Sequence, residues 1–356
     1  IKPLAKVKFP KSPYFRIIKD INFNTMPKSF SFRTDVNRNY NQTQLRNLTS
    51  TYGNSYPIAP TYNKMFEWNR MYEFKYDLTR TLKIDFAVTS KANIDEPAGK
   101  LDKSDPYYKE KMDTIWNNVW DFGRVTSYNQ AFSLNYQVPL NKIPVFNFIS
   151  LNTRYNSSYN WTSAPLALKR LGNTIQNSNS KQYNGQINMN TLYNKVPYFK
   201  KLNQGSRGKG RVSRNRNAEK KEDAEQQKKS KYEIFKHLTR FILSVKNISF
   251  NYSENKGTFL PGYLNQPHFL GQDWSALSPG LPFAFGSQRD IRDYAGNKGW
   301  ITKDSSLNTL YKANTSTNLT LRSTAWFMVF FAGLSPRQWM NIYQMLVIDL
   351  ITSRIF

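Results

Sequence analysis

The sequence has no cysteine and only two histidines, His237 and His268. Without cysteine the chain can form neither disulfide bonds nor thiolate metal sites, and two isolated histidines lack the spacing of zinc ligands. A Gly-rich phosphate loop, a G-x-S-x-G element and an H-E-x-x-H element are absent as well. We therefore predict that the protein is not an enzyme and that it uses neither a cofactor nor a metal ion.

Long apolar runs are also missing. A membrane-spanning helix needs about 20 consecutive apolar residues, and the nearest candidate, 325–334, has only ten. The chain starts at Ile1, without an initiator methionine or the apolar core of a signal peptide, which we interpret as a fragment or a processed piece. A spanning helix is therefore not expected.

Acidic residues are scarce: 24 Asp and Glu oppose 51 Lys and Arg, so the formal net charge is +27. A low-complexity insert at 200–231 holds 12 basic and four acidic residues and supplies +8 of this charge. The insert is typical of a solvated loop, or alternatively of an electrostatic docking arm for an acidic partner. The candidate residues of the arm are Lys200, Lys201, Arg207, Arg211, Arg214 and Arg216. Nucleic acid is not expected as a partner, because no aromatic residues interleave the charges.

Aromatic residues, in contrast, make up 15% of the chain and recur at every second position in several stretches. In 66–90 one register is mostly aromatic or aliphatic, and the other holds mainly Glu, Asn, Lys, Asp and Thr. Stretches 30–40, 132–138 and 151–161 repeat this pattern, which is that of a β-strand with one apolar and one wet face. The aromatic residues predicted to face lipid or to form interfacial girdles are Phe66, Trp68, Tyr72, Phe74, Tyr76, Tyr155, Tyr159 and Trp161.

Eight strands are predicted, and their connections alternate in length. The strands lie near 28–40, 65–78, 82–90, 128–139, 148–161, 182–193, 243–253 and 314–324. Long connections such as 91–127 alternate with short ones such as 79–81, and the basic insert takes the place of a short turn. Outer-membrane barrels have short turns on one side and long loops on the other. The pattern predicts an all-β fold, namely an antiparallel transmembrane β-barrel segment with long external loops.

Two of the long connections contain further predicted elements. A loop helix is predicted at 104–123, where Ser104 or Asp105 can cap the first turn and Gly123 can end the last. This helix either packs against neighbouring loops or docks a partner. The connection 254–313 is rich in proline, glycine and aromatic residues, and we interpret it as a long external loop. Its candidate cap or gate residues are Pro261, Gly262, Tyr263, Phe283, Phe285 and Gly286.

Two other classes of protein share parts of this pattern. A porin or nutrient-receptor barrel would show a complete set of strands in this length, whereas few strands are found here between large loops. A soluble β-sheet domain that binds polysaccharide or nucleic acid would cluster its aromatic residues in a groove rather than along whole strands. Both classes stay open as alternatives to a protein-conducting barrel.

Several long and unusual stretches resemble one family. They are PKSFSFRTDVNRNYNQTQLRN, NIDEP, LNKIPVFNF, LGNTIQNSNS, LYNKVPYFKKLN, LPGYLNQPHFLG and FAFGSQRDIRDYAGNKGW. From about residue 9 to about residue 324 the chain is similar to the SprA/Sov family. The members of this family are outer-membrane translocons of the type IX secretion system of Bacteroidota, and they also support gliding motility.

The resemblance implies a very large single-chain outer-membrane barrel of about 36 strands with a wide lumen, through which folded cargo proteins leave the cell. This chain would then form an arc of the barrel wall. It implies three protein partners, namely the secreted cargo, a PorV-like barrel at a lateral opening and a separate plug protein, with membrane lipid around the wall. The tail at 325–356 departs from this pattern, because it lacks the alternation of the preceding strands. We interpret the tail as a frameshift or premature end that begins at about Ala325.

Overall fold

Nine strands form a single antiparallel sheet in the computed structural model, which describes residues 23–45, 58–204, 243, 245–328 and 343–355. The strands are neighbours in the order of the chain. Their bounds are β1 Ser29–Thr43, β2 Thr61–Tyr76, β3 Leu82–Asn93, β4 Arg124–Val138, β5 Ile149–Thr162, β6 Asn173–Asn188, β7 Val245–Tyr263, β8 Lys312–Met328 and β9 Tyr343–Ile355. The predicted all-β, antiparallel fold is confirmed. Within the described residues the sheet is open, with β1 and β9 at its edges.

The helices of the described residues lie in the connections between strands. They are α1 Tyr108–Trp120 between β3 and β4, α2 Met189–Tyr193 and α3 Pro197–Gln204 after β6, and α4 Leu281–Ala284 and α5 Arg292–Asn297 between β7 and β8. Short 3-10 turns occupy Leu140–Lys142, Leu166–Leu171 and Phe269–Gly271. Among the described residues, no helix combines the length and the apolarity that crossing a membrane requires.

The up-and-down order of the strands gives the sheet two ends. At one end, which we call the loop end, β1 connects to β2, β3 to β4, β5 to β6 and β7 to β8. The other connections lie at the opposite end, the turn end. The strands range from 12 residues in β3 to 19 in β7. At about 3.3 Å per residue, β7 is about 60 Å long.

The two faces of the sheet differ in chemistry, because residues directly opposite each other on paired strands point the same way. Pairing places the rings of Phe74, Phe86 and Phe132 side by side on one face, which we call the apolar face. One residue along, Lys75 and Asp85 lie opposite each other on the polar face. The aromatic and hydrophilic registers therefore occupy opposite sides of the sheet.

The hydrophobic core lies at the loop end of the apolar face, beneath the connection between β7 and β8. We call this connection, residues 264–311, the cap. The core consists of Val88, Tyr128, Tyr159, Trp161, Ile175, Leu260, Tyr263, Phe283, Ala284, Ala295 and Trp300. Strands β3 to β7 supply one side of this core and the cap supplies the other, so apolar burial holds the cap on the sheet.

The observed strand bounds differ from the predicted ones around β6 and β7. Strand β6 begins at Asn173 rather than at 182, and residues 189–193 are helical rather than extended. The side chain of Asn188 accepts a hydrogen bond from the backbone N–H of Thr191 (3.2 Å), which caps α2 and ends the strand.

Strand β7 extends beyond its predicted end at 253 and includes Pro261, Gly262 and Tyr263, which were predicted to lie in the external loop. Proline is tolerated there because the register shifts at this point and Gly262 adopts a positive φ of 80°. These three residues therefore belong to the wall, and the cap begins after them.

The tail also contains strand structure. Strand β8 continues past Thr324 to Met328. Strand β9 pairs with it in antiparallel orientation, so that Tyr343 lies opposite Met328 and Ile355 lies opposite Ser316. The strand predicted at 314–324 is therefore longer than expected, and the frameshift or premature end near Ala325 stays a hypothesis. An antiparallel ladder is made by backbone groups, so a segment rich in Ile, Leu and Val can join it without strict alternation.

Candidate functional site

A groove with a volume of about 670 Å³ runs across the polar face. Seven strands, β2 to β8, contribute to its lining. The lining includes Lys75, Asp85, Ser133, Asn156, Ser178 and Asn255. Hydrophilic side chains from seven strands therefore share one groove.

Hydroxyl and amide groups on the polar face bond to one another. The Ser133 hydroxyl donates to Oδ1 of Asn156 (2.8 Å), and the hydroxyls of Ser158 and Ser178 lie 2.7 Å apart. These groups are neutral and keep further hydrogen-bonding capacity for water. The groove lining therefore includes neutral groups that can bind water.

On the apolar face, each strand carries an apolar run that starts near the turn end and stops at a polar residue. From β2 to β8, the last apolar residues of these runs are, in order, Tyr72, Val88, Phe132, Tyr155, Tyr183, Tyr252 and Leu319. The polar residues that follow them on the same face are, in the same order, Arg70, Ser90, Gln130, Ser157, Lys181, Glu254 and Thr317. We call the line between these two sets the polar boundary. At β6 and β7 it is charged, with Lys181 Nζ 3.7 Å from a carboxylate oxygen of Glu254.

The polar boundary crosses the sheet obliquely. If directly opposite residues are followed from strand to strand, Tyr72 on β2 leads after six steps to Ala313 on β8. The apolar run of β8, however, ends at Leu319, which lies six residues nearer the turn end. The boundary therefore moves by about one residue per strand. A line perpendicular to the strands would not move at all.

The cap covers the apolar face on the loop side of this boundary, and polar wall residues hold its backbone. Gln130 Nε2 donates to the carbonyl of Ala284 (3.2 Å), and Tyr155 donates its hydroxyl to the carbonyl of Phe285 (2.6 Å). The amide of Asn179 donates to the carbonyl of Gly286. The donor groups of these three wall side chains therefore find their acceptors in the backbone of the cap.

The predicted cap or gate residues lie at the contact between cap and wall. Tyr263 and Phe283 are buried, and Phe285 packs on the rings of Phe86 and Phe132 with centroid distances of 6.1 and 5.3 Å. The predicted loop is thus a structured element. It lies on the face opposite the groove, and its role as an external cap or gate stays a prediction.

The prediction that Tyr159 and Trp161 face lipid or form a girdle is corrected, because the cap buries both side chains completely. The Trp161 indole N–H donates to the carbonyl of Asn265 (3.0 Å), and the ring of Tyr159 packs on Gly271. Tyr155 lies at the lower edge of the cap and is half-buried. Alternation assigns a residue to a face, but it does not say which part of that face another segment covers.

The predicted aromatic residues of β2 lie on the apolar face. They are Phe66, Trp68, Tyr72, Phe74 and Tyr76, and all are half-buried. Arg70 interrupts them at the polar boundary, where its guanidinium lies 5.5 Å from the Trp68 ring and 5.6 Å from the Phe122 ring. Stacking on two rings explains how an arginine is accommodated in an aromatic register.

Ion pairs at the loop end were not predicted from the sequence. Arg124 holds Asp95 with two hydrogen bonds of 2.8 and 2.9 Å, and this lowers the pKa of the Asp95 carboxyl. Glu96, whose side chain is 3% exposed, pairs with Arg38 (2.6 Å) and lies 4.0 Å from Lys64. These carboxylates tie the β3–β4 connection to β1, β2 and β4, which is a structural role.

The loop helix occupies Tyr108–Trp120, inside the range predicted for it. Its Ile115 is buried, whereas Trp116 and Trp120 are exposed. The helix therefore buries Ile115 and leaves two tryptophans uncovered.

Of the predicted basic docking residues, Lys200 lies exposed on α3, and the backbone of Lys201 continues that helix. The remaining four, Arg207, Arg211, Arg214 and Arg216, lie outside the described residues.

Comparisons with known proteins name no family for this chain. No protein-family model matches the sequence. No curated protein matches it either. In the part of the chain that the structure describes, no three His, Asp or Glu side chains are placed to hold a metal ion. Function is therefore inferred from the two faces, the polar boundary and the cap.

We expect Gly286→Ala to loosen the cap, and Gly296→Ala, in the same cap, to be harmless. Gly286 has a φ of +90°, and an added Cβ would lie 2.6 Å from Cβ of Ser157. A left-handed non-glycine residue combined with such a clash costs about 2–4 kcal/mol. Hydrogen exchange of the amides at 283–287 in the purified protein should therefore become at least about thirtyfold faster.

Gly296 is the matched control, because nothing lies within 4 Å of the position of its missing Cβ and its φ is not positive. Alanine at this place in α5 should be neutral or stabilise by up to about 1 kcal/mol. Equal exchange rates in the two variants would contradict the close contact between Gly286 and the wall.

Proposed function

We propose that this chain forms an arc of the wall of a large, protein-conducting barrel in the outer membrane, of the kind found in the SprA/Sov translocons. The apolar face lies against lipid on the turn side of the polar boundary. The polar face lines a water-filled lumen through which folded cargo proteins pass. The oblique course of the polar boundary is the observation that carries this proposal.

A flat bilayer meets tilted strands at a different residue on each strand, so the offset per strand reports the tilt. One residue of about 3.3 Å per strand spacing of about 4.8 Å corresponds to a tilt of about 35°. Strands of transmembrane barrels tilt by about 35–45°. The polar boundary thus runs as the edge of a hydrocarbon layer would run across a barrel wall.

The polar face suits the passage of folded proteins. Its Ser and Asn side chains are neutral and hydrogen-bonded to one another, as in the Ser133–Asn156 and Ser158–Ser178 pairs. Such a surface stays hydrated and gives a passing protein few strong contacts. No nucleotide-binding motif occurs in the sequence, so the energy for secretion comes from another component.

The open edges support an arc rather than a closed ring. Within the described residues, β1 and β9 each pair on one side only. An unpaired strand edge in lipid leaves backbone groups without partners, at several kcal/mol for each group. Further strands therefore continue the wall on both sides, as the resemblance to a very large barrel implies.

The cap takes a place on the outside of the wall, beyond the lipid. Gln130, Asn177 and Asn179 would be costly against acyl chains, but the cap satisfies their amides with its backbone carbonyls. In this arrangement the long strands project above the membrane, and the cap shields their outer side. Cargo, a PorV-like barrel and a plug protein are the partners that the family resemblance suggests.

Fractionation of the source cells tests the proposal. An antibody raised against 194–231 should detect a very large band in the outer-membrane fraction, and this band should migrate differently with and without boiling. Heat-modifiable migration reports a folded barrel in detergent. A soluble band near the 41.6 kDa of this chain would overturn the proposal.

A further inference from the structure

Two connections at the turn end form one compact unit. We call residues 139–148 and 189–204 together the turn platform. Lys195 Nζ donates to the carbonyls of Pro144 and Val145, the latter at 2.7 Å, and lies 4.9 Å from the centre of the Phe148 ring. Lys195 therefore links the two segments of the platform.

The turn platform exposes apolar side chains. Val145 is 49% exposed, Phe146 44%, Val196 41% and Tyr198 39%, although they come from separate segments of the chain. Tyr193 is buried and packs edge-to-face on Phe199 at a centroid distance of 6.1 Å. Tyr198 packs on the same Phe199 ring, at a centroid distance of 5.7 Å.

Charge on the platform has one sign only. Its two segments contain Lys142, Lys195, Lys200 and Lys201 and no aspartate or glutamate. The platform directly continues β4, β5 and β6 where their apolar runs lead to the turn end. Aromatic rings beside lysines, without acidic groups, are typical of the interface between hydrocarbon and headgroups.

We propose that the turn platform binds anionic phospholipid headgroups at the turn-side surface of the membrane. This inference rests on the proposed function, because it takes the apolar face as lipid-facing. Val145, Phe146 and Tyr198 enter the margin of the acyl chains, and the exposed Lys200 attracts the headgroup phosphates. Charge complementarity favours anionic over zwitterionic lipid, since the platform offers no acidic group to a choline.

The test uses the full-length protein in nanodiscs of phosphatidylcholine alone and of phosphatidylcholine with about one third phosphatidylglycerol. We expect phosphatidylglycerol to slow hydrogen exchange at 142–148 and 195–200. One lysine near an anionic surface strengthens binding by roughly fivefold, so Lys200→Gln should remove a large part of this protection. The matched control, Lys298→Gln, makes the same charge change at an exposed cap position and should keep it.

The remaining outcomes of this experiment contradict either lipid binding by the platform or the barrel wall itself. Equal exchange in the two kinds of nanodisc, or equal loss in the control variant, overturns lipid binding by the platform. Protection by inorganic phosphate alone, in phosphatidylcholine nanodiscs, assigns the lysines to a free anion instead. Failure to enter nanodiscs, with fast exchange at 132–138, overturns the barrel wall itself, and this inference with it.

Discussion

Leu134→Arg is expected to prevent stable assembly of the wall. Leu134 lies on the apolar face opposite Ile84, within the apolar run of β4 that ends at Phe132. In the proposed function this position faces acyl chains, where an arginine near the bilayer midplane costs about 2–4 kcal/mol. The free energy of unfolding in lipid vesicles, followed by tryptophan fluorescence during denaturant titration, should fall by that amount.

Ser133→Arg is the matched control, one residue away on the same strand. Ser133 lies on the polar face opposite Asp85 and lines the groove, so the new guanidinium stays in water beside a carboxylate. A cross-strand pair of opposite charges contributes about 0.2–1 kcal/mol, which offsets the lost hydroxyl contact. Equal destabilisation by the two arginines would show that the apolar face does not meet lipid.

Asn177→Leu is expected to release the cap from the wall. Asn177 is fully buried, and its Nδ2 donates to the carbonyls of Phe283 (3.0 Å) and Ser287 (2.8 Å). Its Oδ1 accepts a hydrogen bond from Gln288 Nε2 (2.9 Å). Leucine has a similar size but leaves two carbonyls and one amide without this partner, at about 1–3 kcal/mol for each group that stays buried.

Limited proteolysis measures the release, because chymotrypsin cleaves after Phe283 and Phe285 once the cap opens. We expect cleavage in Asn177→Leu to be at least about a hundredfold faster than in the unmodified protein, corresponding to about 3 kcal/mol. Ser178→Ala is the control: it lies one residue along, on the polar face, and loses only its contact with Ser158. Cleavage at the same rate in both variants would mean that the apolar core alone holds the cap.

The open antiparallel sheet could be predicted because its strands keep one chemistry on each face over many residues. In β2, Phe74 and Tyr76 alternate with Glu73 and Lys75, and the structure places these pairs on opposite sides. The same alternation in β4 and β5 marked both strands within a few residues of their observed bounds. Alternation with a period of two is a local property of the sequence, and it arises when one face of a sheet meets an apolar medium and the other a polar one.

The first half of β6 could not be predicted in this way. From Asn173 to Lys181 it has polar side chains in both registers apart from Ile175, so it reads as a loop. Asn177 and Asn179 point to the apolar face, where their Nδ2 groups donate to the carbonyls of Phe283, Gly286 and Ser287 in the cap. Their partners lie more than a hundred residues away, beyond the reach of any local pattern.

The amino-acid pattern alone was enough to assign the two faces, the long strands and the unequal connections, because it shows which residues prefer water and which avoid it. The position of the cap became visible only in the folded chain, and with it the burial of Tyr159 and Trp161 and the course of the polar boundary. Alternation shows only that the two sides of a strand differ in polarity. Whether each side meets lipid, water or another segment of the chain is decided by contacts between distant residues.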